Sequence, residues 1–235
     1  MNRIFLICLC WFAAVLPLPI SAQQFFARQN FTNTGGGSPS FTDNFTRANA
    51  SPISNPSSSG GSWYQSTLGT GSYPENKIVC DQAAPTSAST SCYSYISSPA
   101  FSNNQTCTVT LTAGGIASGS YVGPVVRMQS TSNISGYVLQ TNGGGSEVVV
   151  VKITDSGGSI SQNPILDYST TIVAGDTIGI SASGTTSTLI TVYHNGAVVS
   201  TVTDSSSPFT GGNPGLSFYQ TTVSAPISAV SATSP

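Results

Sequence analysis

From Phe41 onward, short runs of apolar and β-branched residues alternate with clusters of Gly, Pro, Asn and Ser, and no stretch sustains a helical period. The clearest runs are "SWYQS" from Ser62, "NKIVC" from Asn76, "SCYSYI" from Ser91, "QTCTVTLT" from Gln105, "YVGPVVRM" from Tyr121, "SGYVLQT" from Ser135 and "SEVVVVKIT" from Ser146. Further on come "DTIGISAS" from Asp176, "TLITVY" from Thr188, "AVVSTVT" from Ala197, "GLSFYQ" from Gly215 and "PISAVSA" from Pro226. Many short strands with no crossover helices predict an all-β fold of antiparallel sheets packed face to face.

The turns agree with that reading. Asn195-Gly196 is the preferred signal for a two-residue type I′ hairpin, in which both central residues take positive φ. Closing the hairpin there pairs His194 with Ala197, Tyr193 with Val198, Val192 with Val199 and Leu189 with Val202. Leu189, Tyr193, Val198 and Val202 are then expected to face the core. His194, the only histidine of the chain, is expected on the opposite face at the sheet end, with no evident acid to orient it.

The first 22 residues place Arg3 ahead of an apolar run and end in Ser21-Ala22, the pattern of a secretory signal peptide. Residues 23–40 read as a flexible lead-in and residues 41–235 as one sandwich domain. The run from Ile4 to Leu16 is short for a membrane span, so no stable membrane insertion is expected. Charged residues make up 6% of the chain and the formal net charge is −2, which argues against a nucleic-acid partner. Polarity rests instead on Ser, Thr, Asn and Gly, a surface suited to neutral polymers outside the cytoplasm.

Three cysteines follow the leader. "KIVC" and "CYSYI" flank a polar loop, which favours a Cys80–Cys92 disulfide, and Cys107 could replace either partner. Three cysteines and one histidine without a C-x-x-C pair give no zinc site.

The order of "FTDNFTRANASPISNPSSSGGSW", "YVGPVVRMQSTSNISGYVLQ", "VAGDTIGISASGTTSTLITVYHNGAVVSTVTD" and "GGNPGLSFY" resembles the concanavalin A-like lectin and glucanase superfamily, close to secreted bacterial or phage laminin-G-like domains. The resemblance spans residues 41–232. It implies a jelly-roll β-sandwich in which "FTDNFTR" lies near "PISAVSA" and Trp63 serves as a structural aromatic. It also marks Asp43 and Asp204 as the acids to which a structural calcium would be assigned; no other cofactor is expected.

Hydrolytic members resemble one another in a Glu-x-Asp-x-x-Glu strand, whose alternate acids reach one cleft. The only glutamates here are Glu75 and Glu147, and "EVVVVK" lacks both partners. A Gly-x-Ser-x-Gly elbow is also missing. The function expected is therefore non-catalytic binding of a glycan or neutral polymer surface by stacking on tyrosines and hydrogen bonds from amides. Tyr93, Tyr95, Tyr137, Asn142 and His194 are the candidate contacts. A structural or adhesive module, and an unconventional glycosidase or lyase, are the alternatives.

Overall fold

A computed structural model describes residues 38–46, 61–65, 76–79, 82–85, 91–112, 116, 119–130, 134–142, 146–155, 160–219 and 226–235. Among the described residues fifteen strands follow one another: β1 Ser40–Asp43, β2 Ser62–Gln65, β3 Asn76–Val79, β4 Gln82–Pro85, β5 Ser91–Ser98, β6 Gln105–Leu111, β7 Tyr121–Ser130 and β8 Ile134–Asn142. The rest are β9 Glu147–Asp155, β10 Ile160–Ser169, β11 Thr177–Ser183, β12 Thr188–His194, β13 Ala197–Asp204, β14 Asn213–Tyr219 and β15 Ile227–Thr233.

They form two antiparallel sheets. One has eight strands in the order β13-β12-β11-β6-β15-β4-β3, with β1 also paired to β15; the other has seven, β10-β9-β8-β7-β14-β5-β2. The expected all-β jelly-roll sandwich is thus the fold observed, and its ends meet: Phe41 pairs with Ala232 and Asp43 with Val230. The expected boundary at residue 22 and the lead-in up to residue 37 lie outside the described residues.

Alternation builds the core. Cys107, Val109 and Leu111 of β6, Ile178 and Ile180 of β11, and Ile190 and Val192 of β12 meet Val122, Leu139, Val150, Leu216 and Phe218 of the seven-stranded sheet. Burial of such side chains supplies the main drive for closing the sandwich, about 1.5–3 kcal/mol for each large one. Trp63 belongs to this core. Its ring stands edge-on to Phe41 at 5.3 Å and stacks on Phe45 at 6.3 Å, and its Nε1–H donates to Asp43 Oδ2 at 2.7 Å.

The hairpin at 195–196 forms as expected, with φ of 51° at Asn195 and 78° at Gly196. Its first pairs, His194–Ala197 and Tyr193–Val198, also match. A bulge at Val199 then shifts the register, so that Val192 pairs with Ser200, Ile190 with Val202 and Leu189 with Thr203. On β12 the core face is the other one: Ile190 and Val192 are buried and Leu189 is 44% exposed; on β13 Val198 is 60% exposed, while Val202, opposite Ile190, packs against the core as expected. The physical reason is that β12 has apolar residues on both faces. Its neighbour β11 offers Ile178, Ile180 and Ala182 on one of them only.

Candidate functional site

The outer face of the seven-stranded sheet gathers the tyrosines. In β5, Cys92 and Ile96 point into the core, so Tyr93 and Tyr95 take the outer face, where they cluster with Val125, Val138, Val151 and Ile153. The same alternation acts on β2, where Trp63 is internal and Tyr64 leans on Tyr95 with ring centroids 4.9 Å apart. Val122 and Phe218 are internal, which turns Tyr121 of β7 and Tyr219 of β14 outward. These two are register partners, and their rings lie 6.2 Å apart at 42°.

Among the described residues five tyrosines therefore share one face of one sheet. Four of them lie in two rows, with Tyr93 between the rows opposite Ser217. One row crosses all seven strands as Tyr64, Tyr95, Gly215, Val125, Val138, Val151 and Pro164. The other runs Ser91, Tyr219, Tyr121 and Asn142, and Asn142 Nδ2 reaches Glu147 Oε2 at 3.5 Å. Strand spacing and rise alone place Tyr64 roughly 15 Å from Tyr219.

Exposure divides the roles. Tyr93 and Tyr95 are buried, so they cannot be the stacking surface assigned to them from sequence; Tyr95 instead backs Tyr64, which is 45% exposed. Tyr121, Tyr219 and Asn142 are half-buried at the rim. Tyr137 is corrected outright: it is fully buried on the core side of β8. Sequence reasoning missed Tyr64, Tyr121 and Tyr219. The phase of "SWYQ" and "LSFY", set by the bulky Trp63, Leu216 and Phe218, carries the signal that finds two of them.

At one end of the sandwich, Tyr137 belongs to a buried polar network. Its hydroxyl donates to Asp204 Oδ2 at 2.7 Å and accepts from the Phe209 N–H at 3.0 Å. Lys152 Nζ donates to Asp204 Oδ2 at 2.8 Å and to the carbonyls of Ser206 and Ser207 at 2.6 and 2.9 Å. Burial works against the Asp204 carboxylate, but the bonds from Lys152, Tyr137 and the Ser206 N–H, with the Lys152 charge, hold its pKa below the usual range. Burial, reinforced by the bond to Asp204, pushes the Tyr137 hydroxyl up to about 12.

Beside this network Arg127 is fully buried at φ 53°. Its guanidinium donates to the carbonyls of Asn103, Phe209 and Gly184 and to the Thr188 hydroxyl. One side chain thereby ties three loops to β7. Burial lowers its pKa, with a small opposing contribution from Tyr137.

Where the free edges of the two sheets face each other, between β10 and β13, a cleft of about 510 Å³ opens. Lys152, Thr154, Ser161, Gln162, Asn163, Ile165, Asp204 and Ser206 line it.

His194 does have an orienting acid, contrary to the sequence expectation. Its Nε2 lies 2.9 Å from Asp176 Oδ2, and Asp176 Oδ1 accepts from Asn195 Nδ2 at 2.9 Å. The Val173 N–H also donates to Asp176 Oδ2 at 2.8 Å. The group holds the 174–176 turn against the hairpin end.

Asp43 receives the Phe45 N–H as well as Trp63. No group of three metal-ligating side chains stands together among the described residues. Cys80 lies outside those residues, and with it the expected bridge to Cys92, which is buried in β5. Cys107 is a free, buried thiol whose pKa burial pushes up to about 12.

No family model matches the sequence, and no curated protein matches it either. Solved structures do share the fold. A Shewanella oneidensis MR-1 protein of unknown function is similar over 93% of this chain and 95% of its own, at 13% identity and a TM-score of 0.52. The metal-free VIP36 exoplasmic/lumenal domain is similar over 83% and 91%, at 8% identity and a TM-score of 0.51. The Emp47p carbohydrate recognition domain is similar over 83% and 94%, at 11% identity and a TM-score of 0.50.

Proposed function

We propose that this protein is a secreted, non-catalytic module that binds a glycan along the outer face of its seven-stranded sheet. The observation that carries the reading is the convergence of Tyr64, Tyr121 and Tyr219 on that face, with Tyr95 buttressing Tyr64 and Asn142 beside Tyr121. A tyrosine ring offers an apolar face for sugar C–H groups and a hydroxyl for sugar oxygens. Two platforms roughly 15 Å apart suit an extended chain better than a single residue. One domain of this fold, that of Emp47p, is a carbohydrate recognition domain; fold alone names no ligand, so the tyrosine face is the argument. The leader-like first 22 residues support export.

The test is a polysaccharide and glycan array with the purified protein, repeated for Tyr64→Ala, Tyr121→Ala and Tyr219→Ala. Binding to a defined subset is expected, weakened about tenfold by loss of either platform, since an aromatic contact is worth about 1 kcal/mol or more. Retention of full binding by all three variants would remove this face from consideration. A parallel series with calcium and with EDTA is expected to give the same binding, because Asp43 and Asp204 already accept protein donors on both carboxylate oxygens.

A further inference from the structure

We infer that the cleft between β10 and β13 is a second binding site, separate from the tyrosine face, for an uncharged polyhydroxylated ligand the size of one or two sugar units. The two edges that frame it belong to different sheets, so the cleft opens at the unclosed side of the sandwich. Its volume of about 510 Å³ lies within the range of small-molecule sites.

The chemistry of the lining selects the ligand. Alternation along β9 and β10 sets Lys152 opposite Asn163 and Thr154 opposite Ser161, on the side facing β13. Thr154, Ser161 and Asn163 are all exposed, and they offer hydroxyl and amide groups that both donate and accept. Ile165 adds a partly buried apolar surface for C–H groups. The one cation, Lys152, gives its three protons to Asp204, Ser206 and Ser207, and its charge faces the Asp204 carboxylate. Neither member of that pair is open to a ligand charge, so a sulfated or uronic sugar gains nothing here that a neutral one lacks.

A β-strand is the other occupant an open edge invites. Pro164 stands in the middle of β10 beside a register shift at residue 165, which removes a ladder donor and bends the strand. The edge is thus closed to strand addition while its side chains stay accessible. The wall opposite is held in advance: the 205–209 loop is fixed by Lys152 at Ser206 and Ser207 and by Arg127 and Tyr137 at Phe209. A ligand would not have to order it on binding.

Amide NMR of the labelled protein, titrated to millimolar levels with glucose, mannose, galactose, fructose and N-acetylglucosamine, tests the inference. At least one sugar is expected to shift resonances of residues 152–154, 161–165 and 204–207 saturably. Asn163→Ala and Ser161→Ala, at exposed positions that leave the fold intact by circular dichroism, are expected to weaken that response about tenfold. Tyr121→Ala and Tyr219→Ala are expected to leave it unchanged, which separates this site from the tyrosine face. The inference is overturned if no sugar shifts the cleft resonances, if the two cleft variants respond like the parent, or if glucuronate or a sulfated sugar binds the cleft more tightly than its neutral counterpart.

Discussion

Two buried carboxylates show how single residues tie separate parts of the chain together. Asp43 caps the start of the domain by accepting from Phe45 and Trp63, and Asp204 joins β13 to β8 and β9 through Tyr137 and Lys152. The folded state holds the Asp204 pKa below its ordinary value of about 3.9. A carboxylate whose pKa is depressed on folding binds fewer protons folded than unfolded, so its contribution is present above that ordinary value and lost as pH falls through the folded one. The thermal midpoint is therefore expected to drop below about pH 4. Asp204→Asn removes the titrating group, lowers the midpoint at neutral pH and flattens this acid limb. Melting curves from neutral pH into the acid range, recorded for both proteins, check it; parallel acid limbs would mean that Asp204 is not the group responsible. The pairing with Tyr137 was hidden in the sequence because the residues lie on different sheets. Tyr137, a candidate contact by sequence, is a core residue with a polar tip.

Among the elements, the β12–β13 hairpin separates what local sequence encodes from what tertiary contact decides. Asn-Gly encodes the turn, since positive φ at both positions excludes most other residues, and the turn forms as expected. The orientation of the strands is not encoded there. Leu189 and Tyr193 make one face of β12 apolar, Ile190 and Val192 the other, and β11 chooses between them. Nothing in "AVVSTVT" marks the bulge at Val199 either. The turn's contribution is separable from packing, because a Cβ on Gly196 would meet nothing within 4 Å. Gly196→Ala is therefore expected to destabilise by about 1–2 kcal/mol through backbone conformation alone. Chemical denaturation measures it, with an unchanged denaturant slope expected. A neutral effect would show that the turn adopts another geometry in the variant.

At the scale of the whole molecule, the fold was more legible than the surface it presents. Alternation and turn residues are local, so "many strands, no helices" could be read along the chain. The tyrosine face joins Tyr64, Tyr121 and Tyr219, which lie far apart in sequence and meet only because β14 sits between β5 and β7. The cleft likewise depends on which strands end up at the edges. Composition, in contrast, carries through to the whole: with 6% charged residues and Lys152 neutralised by Asp204, the charges on the two proposed sites come down to Glu147 at the end of the Tyr121 row and Asp167 opposite Val149 on the same face. Recognition should then come from stacking and neutral hydrogen bonds, which salt does not screen, whereas an exposed ion pair weakens once the Debye length shrinks from about 10 Å to about 3 Å. Affinity for the best array ligand is expected to vary less than twofold between low and molar sodium chloride, as measured by titration calorimetry. A steep fall with salt would instead require a charged contact, from Glu147, from Asp167 or from segments of the chain beyond the two sheets.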